Sequence, residues 1–222
     1  MNQHTTNAMG IGKGRIEALA DGVFAIAMTL LILELKVPAL LPDQIEQLPN
    51  RLLQLWPKVT AFIISFLICG VYWVGHHAQL HYVRRSDRNF MWLNIVFLMV
   101  ISAIPFSAAL IGEYPQQPIA IRVYCGNLIL AGALLFLQLR YAAGRGQLFD
   151  QDIDDRFVTF GGQRILMGPA VYLIAFLLAG VSPISSLLLC GVAPVLYLRP
   201  GRVDHYWKIG HRQPVTPDNL TK

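Results

Sequence analysis

Residues 15–38 read RIEALADGVFAIAMTLLILELKVP, and this stretch decides the fold class. From Ala18 to Val37 the run is almost entirely apolar, and a helix needs about 20 such residues to cross the hydrocarbon core of a bilayer. The run follows a polar leader of seventeen residues and has no small-residue cleavage site before Lys36, so it is not typical of a cleaved signal peptide. We expect a helix that stays in the protein and spans a membrane.

Five further apolar runs follow this one along the chain. They lie at about residues 59–75, 90–111, 123–139, 165–181 and 184–198. The last two are separated only by Ser182 and Pro183, which predicts a tight helical hairpin. The pattern favours six spans over five, the alternative arising because the sixth run is short. We therefore predict an all-α integral membrane protein in which residues 1–222 form a single membrane domain, with a cytoplasmic leader at 1–14 and a cytoplasmic tail at 199–222.

Composition and charge agree with a membrane protein. Hydrophobic types make up 55% of the chain and charged types 14%, against roughly 45–50% and about 25% in soluble domains. The net charge of +5 is spread in short clusters between apolar runs, which argues against a nucleic-acid partner because such binders carry a continuous basic surface.

The distribution of basic residues predicts the orientation. Alternating the loops puts fourteen of the eighteen Lys and Arg residues on one side. The other side receives Lys36, Arg51, Lys58 and Arg122. Since basic residues concentrate on the cytoplasmic side of membrane proteins, we expect both termini in the cytoplasm of a multi-pass protein of the cell membrane, whether inner or plasma membrane.

The first span has two different faces. At 100° per residue, six residues fall within about 60° of one line. They are Leu19, Gly22, Ile26, Thr29, Leu30 and Leu33. Asp21, Ala25 and Met28 are expected on the opposite side. Because an unpaired charge in the bilayer costs at least roughly 2.5–3.5 kcal/mol, Asp21 must have partners in other helices.

The second and third spans carry suitable partners at the same depth. Trp73 and His77 are four residues apart and share a helix face, and Asn94 lies one turn into the third span. We predict a buried polar network of Asp21, Trp73, His77 and Asn94, with Arg15 or Glu17 at its edge. The network can hold helices together or take a direct chemical role, and the first interpretation is favoured.

Catalytic and metal sites are not indicated. His77 and His81 have the spacing of helical zinc ligands, but no glutamate stands in the order that a metallohydrolase needs. The three cysteines, one in each of three runs, form no ligand spacing and are expected to be small buried apolar side chains. We therefore expect no catalytic residues, no metal ligands, no cofactor and no enzymatic activity. Pro105 predicts a kink in the third span, either as packing geometry or as a hinge.

These residues carry a resemblance to a known family. Residues 15–38, with Arg15, Asp21 and the closing Lys-Val-Pro, resemble the first helix of prokaryotic members of the transmembrane protein 175 family of potassium channels. The segments 72–77 (YWVGHH) and 104–107 (IPFS), together with Asn94, are similar to the second and third helices of that family. The chain departs from the usual Arg and Phe-Ser-Asp signature, because Leu19 and Ala20 replace the Phe and the Ser.

The resemblance implies a homotetramer in which the first helices surround a central pore for potassium ions. By position, Ile26 would form the tightest constriction and Thr29 would lie just outward. Leu33 would be a further apolar ring, with Leu30 beside it. The family also assigns five residues to the network that holds the pore helix rather than to ion contact: Arg15, Asp21, Trp73, His77 and Asn94.

Other functions remain open at this point. A secondary active transporter should show repeats, broken helices and charges near the bilayer midplane, where the first span offers only Thr29. A proton-permeable channel of the same architecture is a further alternative. A membrane enzyme or a histidine metal site is disfavoured because the histidines lie at the membrane edge.

Overall fold

The described part of the chain is built from helices. The computed structural model describes residues 13–144, 146, 148–149 and 155–198. The α-helices are α1 (Lys13–Leu30), α2 (Leu48–Gln54), α3 (Trp56–Tyr82), α4 (Arg88–Ser102), α5 (Ile104–Glu113), α6 (Pro118–Ala143), α7 (Asp155–Leu178) and α8 (Pro183–Leu198). Two 3₁₀ helices, Leu31–Glu34 and Pro42–Gln47, flank the loop after α1. Residues 1–12 of the predicted leader and the whole predicted tail lie outside the described residues, and residues 13 and 14 form the start of α1.

Five of these helical segments are long and apolar enough to cross a bilayer. They are Lys13–Glu34, Pro42–Tyr82, Arg88–Glu113, Pro118–Ala143 and Val158–Leu178. The sixth predicted run lies on α8, whose 16 residues reach about 24 Å at 1.5 Å per residue. The prediction of an all-α membrane protein is confirmed. The difference between five and six spans therefore depends on α8, which is helical and apolar but short for a hydrocarbon core about 30 Å thick.

Helix α6 lies at the centre of the bundle and contacts α4, α5, α7 and α8. Two hydroxyl contacts join it to α3 in an otherwise apolar core. The Tyr72 hydroxyl donates to the Leu128 carbonyl at 2.6 Å, and the Ser65 and Tyr124 hydroxyls lie 2.8 Å apart. All three cysteines are buried, and the Cys125 and Cys190 sulfur atoms touch at 3.5 Å.

The predicted kink in the third span is present at Ala103, where α4 ends and α5 begins. Pro105 has no N–H to continue the helical hydrogen bonds across this point. The Ser107 hydroxyl donates to the Ile104 carbonyl at 3.0 Å and accepts a bond from the Asn127 amide at 3.1 Å. A side chain of α6 is thereby tied to the kink.

Helix α1 lies at the edge of the bundle, against α3 and α4. Its buried side chains recur every three or four residues, as one helix face requires. They are Ile16, Ala20, Phe24 and Ala27, and Leu31 continues the same face into the 3₁₀ helix that follows. The helix passes into a 3₁₀ turn that ends at Glu34, three residues before the predicted end of the span. One face of α1 is therefore fastened to the bundle, and the other face is left uncovered in the single chain.

Candidate functional site

The four residues predicted to line a pore are uncovered: Ile26, Thr29 and Leu30 on α1, and Leu33 in the 3₁₀ helix that follows it. Ile26 is 60% exposed, Leu30 42% and Leu33 64%, and Thr29 is also exposed. These residues lie opposite the buried stripe that begins at Ile16. The face is mostly apolar, and its one hydroxyl, that of Thr29, lies near the C-terminal end of α1.

A stripe of small residues runs beside the large ones on the same uncovered face. Its members are Gly14, Ala18, Gly22 and Ala25, all of them exposed. Ala25 was expected on the opposite side, but it lies at the edge of the uncovered face because the buried stripe of α1 is narrow. No atom lies within 4 Å of where a Cβ would stand on Gly14 or Gly22. In membranes, helices approach one another closely where small residues recur at this spacing. The uncovered face can therefore accept another helix at short range.

The Thr29 hydroxyl is engaged with its own helix. Its oxygen lies 2.9 Å from the Ala25 carbonyl and 2.9 Å from the Ile26 carbonyl, and the hydroxyl is the donor in both contacts. Such bonds to the preceding turn are common for threonine in helices. The oxygen stays on the uncovered face.

Asp21 and Trp73 form a hydrogen-bonded pair at the edge of this face. The Trp73 indole N–H donates to an Asp21 carboxylate oxygen at 2.8 Å. His77 stacks on Trp73, with ring centroids 5.6 Å apart and planes inclined by 26°. All three residues are exposed in the single chain. The carboxylate was expected to be buried, and Asp21 instead lies on the surface because it falls outside the stripe that α1 presents to the bundle.

Asn94 forms a second, separate pair, and its partner is His76 instead of His77. The His76 Nε2 and Asn94 Oδ1 atoms are 2.7 Å apart, and both residues are buried. Phe97 stacks on the His76 ring at 5.1 Å, and Phe24 of α1 lies 6.2 Å from it. The predicted network is thus divided, because adjacent histidines point about 100° apart on a helix.

The charged residues at the start of α1 are arranged differently from the prediction. Glu17 faces Lys13 at 3.7 Å, and Lys13 also donates to the His81 carbonyl at 3.0 Å. Arg15 is exposed on the side of α1 that carries Ile26. Glu17, which was expected at the edge of the polar network, is therefore paired with Lys13.

Three residues that position α1 were missed from the sequence: Phe24, His76 and Phe97. A signal for His76 was present in α3, whose buried residues include Ala61, Ser65, Ile68 and Tyr72. Continuing that spacing of three or four residues leads to His76 and not to His77. In the described ranges, no group of three or more His, Cys, Asp or Glu residues could hold a metal ion.

Comparisons with known proteins point to one family. The family profile described as endosomal/lysosomal potassium channel TMEM175 matches residues 15–105. A potassium channel of Chamaesiphon minutus is 40% identical over 188 residues, which are 83% of this chain and 92% of that protein. The rat endosomal/lysosomal proton channel TMEM175 is 28% identical over 185 residues, which are 75% of this chain and 36% of that protein.

A solved structure is also similar. The crystal structure of a lysosomal potassium-selective channel TMEM175 homolog from Chamaesiphon minutus superposes with a TM-score of 0.73 at 36% sequence identity. The superposition covers 83% of this chain and 95% of that one. The two proteins therefore share most of their helical architecture.

Proposed function

This chain belongs to the TMEM175 family, and from that premise we propose that it is a potassium-permeable cation channel in the cell membrane, with both termini in the cytoplasm. Four copies place their first helices around a common axis. The side chains that line the axis are Ile26, Thr29, Leu30 and Leu33. The observation that carries the proposal is the uncovered face of α1, which lies at bilayer depth although the opposite face is in the bundle core.

The small-residue stripe supports an assembly centred on α1. Small residues recur every three or four positions at Gly14, Ala18, Gly22 and Ala25, beside a stripe of large residues. This spacing is typical of a surface that packs against another helix and is not required of a surface that faces lipid. Neighbouring first helices can pack on the small residues and turn the large ones toward the axis. The Chamaesiphon minutus protein is named a potassium channel, and the same face is available here for such a pore.

The chemistry of this face predicts weak discrimination between monovalent cations. A ring of Ile26 side chains offers an ion nothing in exchange for its hydration shell, so a narrow ring dewets and blocks the pore. A wider ring passes an ion with most of its water. The preference for potassium over sodium is therefore modest and follows the ease with which each ion gives up water, with the Thr29 oxygens as the polar atoms nearest to the ion.

The direct test is ion flux into phosphatidylcholine vesicles that contain the purified protein. We expect potassium flux to exceed sodium flux in the wild type. In Ile26→Asn the total flux should rise several-fold and the potassium preference should fall, because an amide ring stays wet. Ile174→Asn is the matched control, since Ile174 is 52% exposed on α7 and is not assigned to the axis.

The outcomes separate the alternatives. Unchanged flux in Ile26→Asn, or the same change in both variants, would remove Ile26 from the conduction path. Saturable flux that is accelerated by ions on the opposite side would identify a transporter. Acidification of the vesicles without potassium flux would favour a proton channel, the activity for which the rat relative is named.

A further inference from the structure

The connection between α1 and α3 contains a two-part amphipathic segment, residues 42–56, that the function above does not use. Its first part is the 3₁₀ helix Pro42–Gln47. A 3₁₀ helix has three residues per turn, so Pro42, Ile45 and the following Leu48 line up on one side. Asp43, Gln44, Glu46 and Gln47 occupy the other two sides.

The second part continues the same apolar line with the period of an α-helix. In α2 and the turn after it, Leu48, Leu52 and Leu55 fall within about 60° of one another at 100° per residue. Asn50 and Gln54 lie on the opposite side, and Arg51 lies between Gln54 and Leu55, where its guanidinium contacts the Gln54 side chain at 3.5 Å. The 3₁₀ helix, with three residues per turn, therefore changes to the α-helix, with 3.6 residues per turn, at Leu48, and the apolar residues stay on one side across this point.

This apolar line is uncovered in the single chain. None of residues 42–54 is buried. Ile45 is 61% exposed, Leu52 50% and Trp56 70%. An apolar surface of this extent on a polar-backed segment is found where a protein meets another protein or a membrane.

We propose that residues 42–56 lie in the headgroup layer of the bilayer and bind the lipid surface through this apolar line. The segment continues directly into α3 at Trp56 and is linked to the first span by residues 35–41, which places it near the level of the membrane surface. The apolar line runs into the exposed surface of α3 through Trp56, a residue type that favours the interface between lipid and water. The segment is therefore continuous with the exposed apolar surface of α3.

Apolar contact, and not lipid charge, holds the segment in place. Its charged residues are Asp43, Glu46 and Arg51. They leave no excess of positive charge, whereas interfacial helices that depend on anionic lipids carry several Lys or Arg residues on the polar face. Binding is accordingly independent of the fraction of anionic lipid.

The test uses spin labels on the full chain in phosphatidylcholine vesicles. Single cysteines are introduced as Ile45→Cys and Leu52→Cys on the apolar side, with Gln47→Cys and Asn50→Cys as matched controls. The native cysteines are buried, and the unmodified chain serves as the labelling blank. We expect the ratio of oxygen to water-soluble nickel-complex accessibility to be several-fold higher at the two apolar-side positions, and unchanged when phosphatidylglycerol is added.

Three outcomes would overturn the proposal. Equal access of the nickel complex to both sides would place the segment in water. Exclusion of both reagents from the apolar side would mean that protein, such as a second copy, covers it. An apolar-side signal that requires phosphatidylglycerol would mean that charge holds the segment.

Quenching of tryptophan fluorescence by brominated phosphatidylcholine gives a check without added cysteines. Trp56→Phe should remove part of the fluorescence that the brominated lipid quenches, and no loss would contradict the proposal.

Discussion

Two polar pairs join the first three spans, and they lie in different surroundings. His76 and Asn94 are buried between aromatic rings. Asp21 and Trp73 form an equally short bond on the uncovered side of the single chain. A buried polar group without a partner costs more free energy than an exposed one, because water cannot replace the lost bond. The first pair therefore contributes to the stability of one chain, and the second would become enclosed only in the proposed tetramer.

The largest effect on the stability of one chain is expected from Asn94→Leu. This change leaves His76 buried without its partner, so the free energy of unfolding should fall by about 1–3 kcal/mol. Thermal loss of helical circular dichroism in detergent would measure it.

The control for this prediction replaces both partners. His76→Phe with Asn94→Leu should recover part of the loss, since two apolar side chains leave no polar group unpaired. A double variant as unstable as the single one would show that the unpaired group is not the cause.

A smaller effect on one chain, but a large one on assembly, is expected from Asp21→Ala. The stability of the single chain should change by less than about 1.5 kcal/mol, the usual worth of one hydrogen bond. The fraction of intact oligomer, measured by size-exclusion chromatography with light scattering, should fall several-fold. Trp73→Phe should act similarly, and the double variant should add little, because both changes break the same bond. Normal assembly with an altered preference between potassium and sodium would mean that Asp21 faces the ions.

The smallest effect is expected from His77→Ala. His77 is exposed and stacks on Trp73, so the free energy of unfolding should change by no more than about 0.5 kcal/mol. His76→Ala is the matched control on the neighbouring residue and should be clearly less stable in the same melting experiment. Equal effects of the two substitutions would remove the distinction between the two histidines.

The spans were predictable because they depend on local composition. A run of about 20 apolar residues must form a helix in a bilayer, where every backbone group needs a partner within the segment. The kink was predictable for a similar reason, since Pro105 lacks the N–H of a regular helix. Neither inference needs knowledge of how one helix is rotated against another.

The division of the polar network depended on such rotation. Asn94 can reach either histidine until the buried stripe of α3 determines which one faces the core. Residues 42–54 escaped prediction for another reason. Each of their two parts is shorter than a spanning helix, and their periods differ, so a search for one long apolar run or one period passes over them.

The orientation of the Thr29 hydroxyl has a consequence for the sign of the charge that can pass. Its hydrogen is directed into the carbonyls of Ala25 and Ile26, so a ring of such residues would present oxygen lone pairs to the axis and no protons. A chloride ion requires hydrogen donors when it sheds water, and it would find none there. At this level of the pore, a neutral group would therefore disfavour a partly dehydrated anion relative to a cation through the direction of its hydroxyl, without a ring of carboxylates.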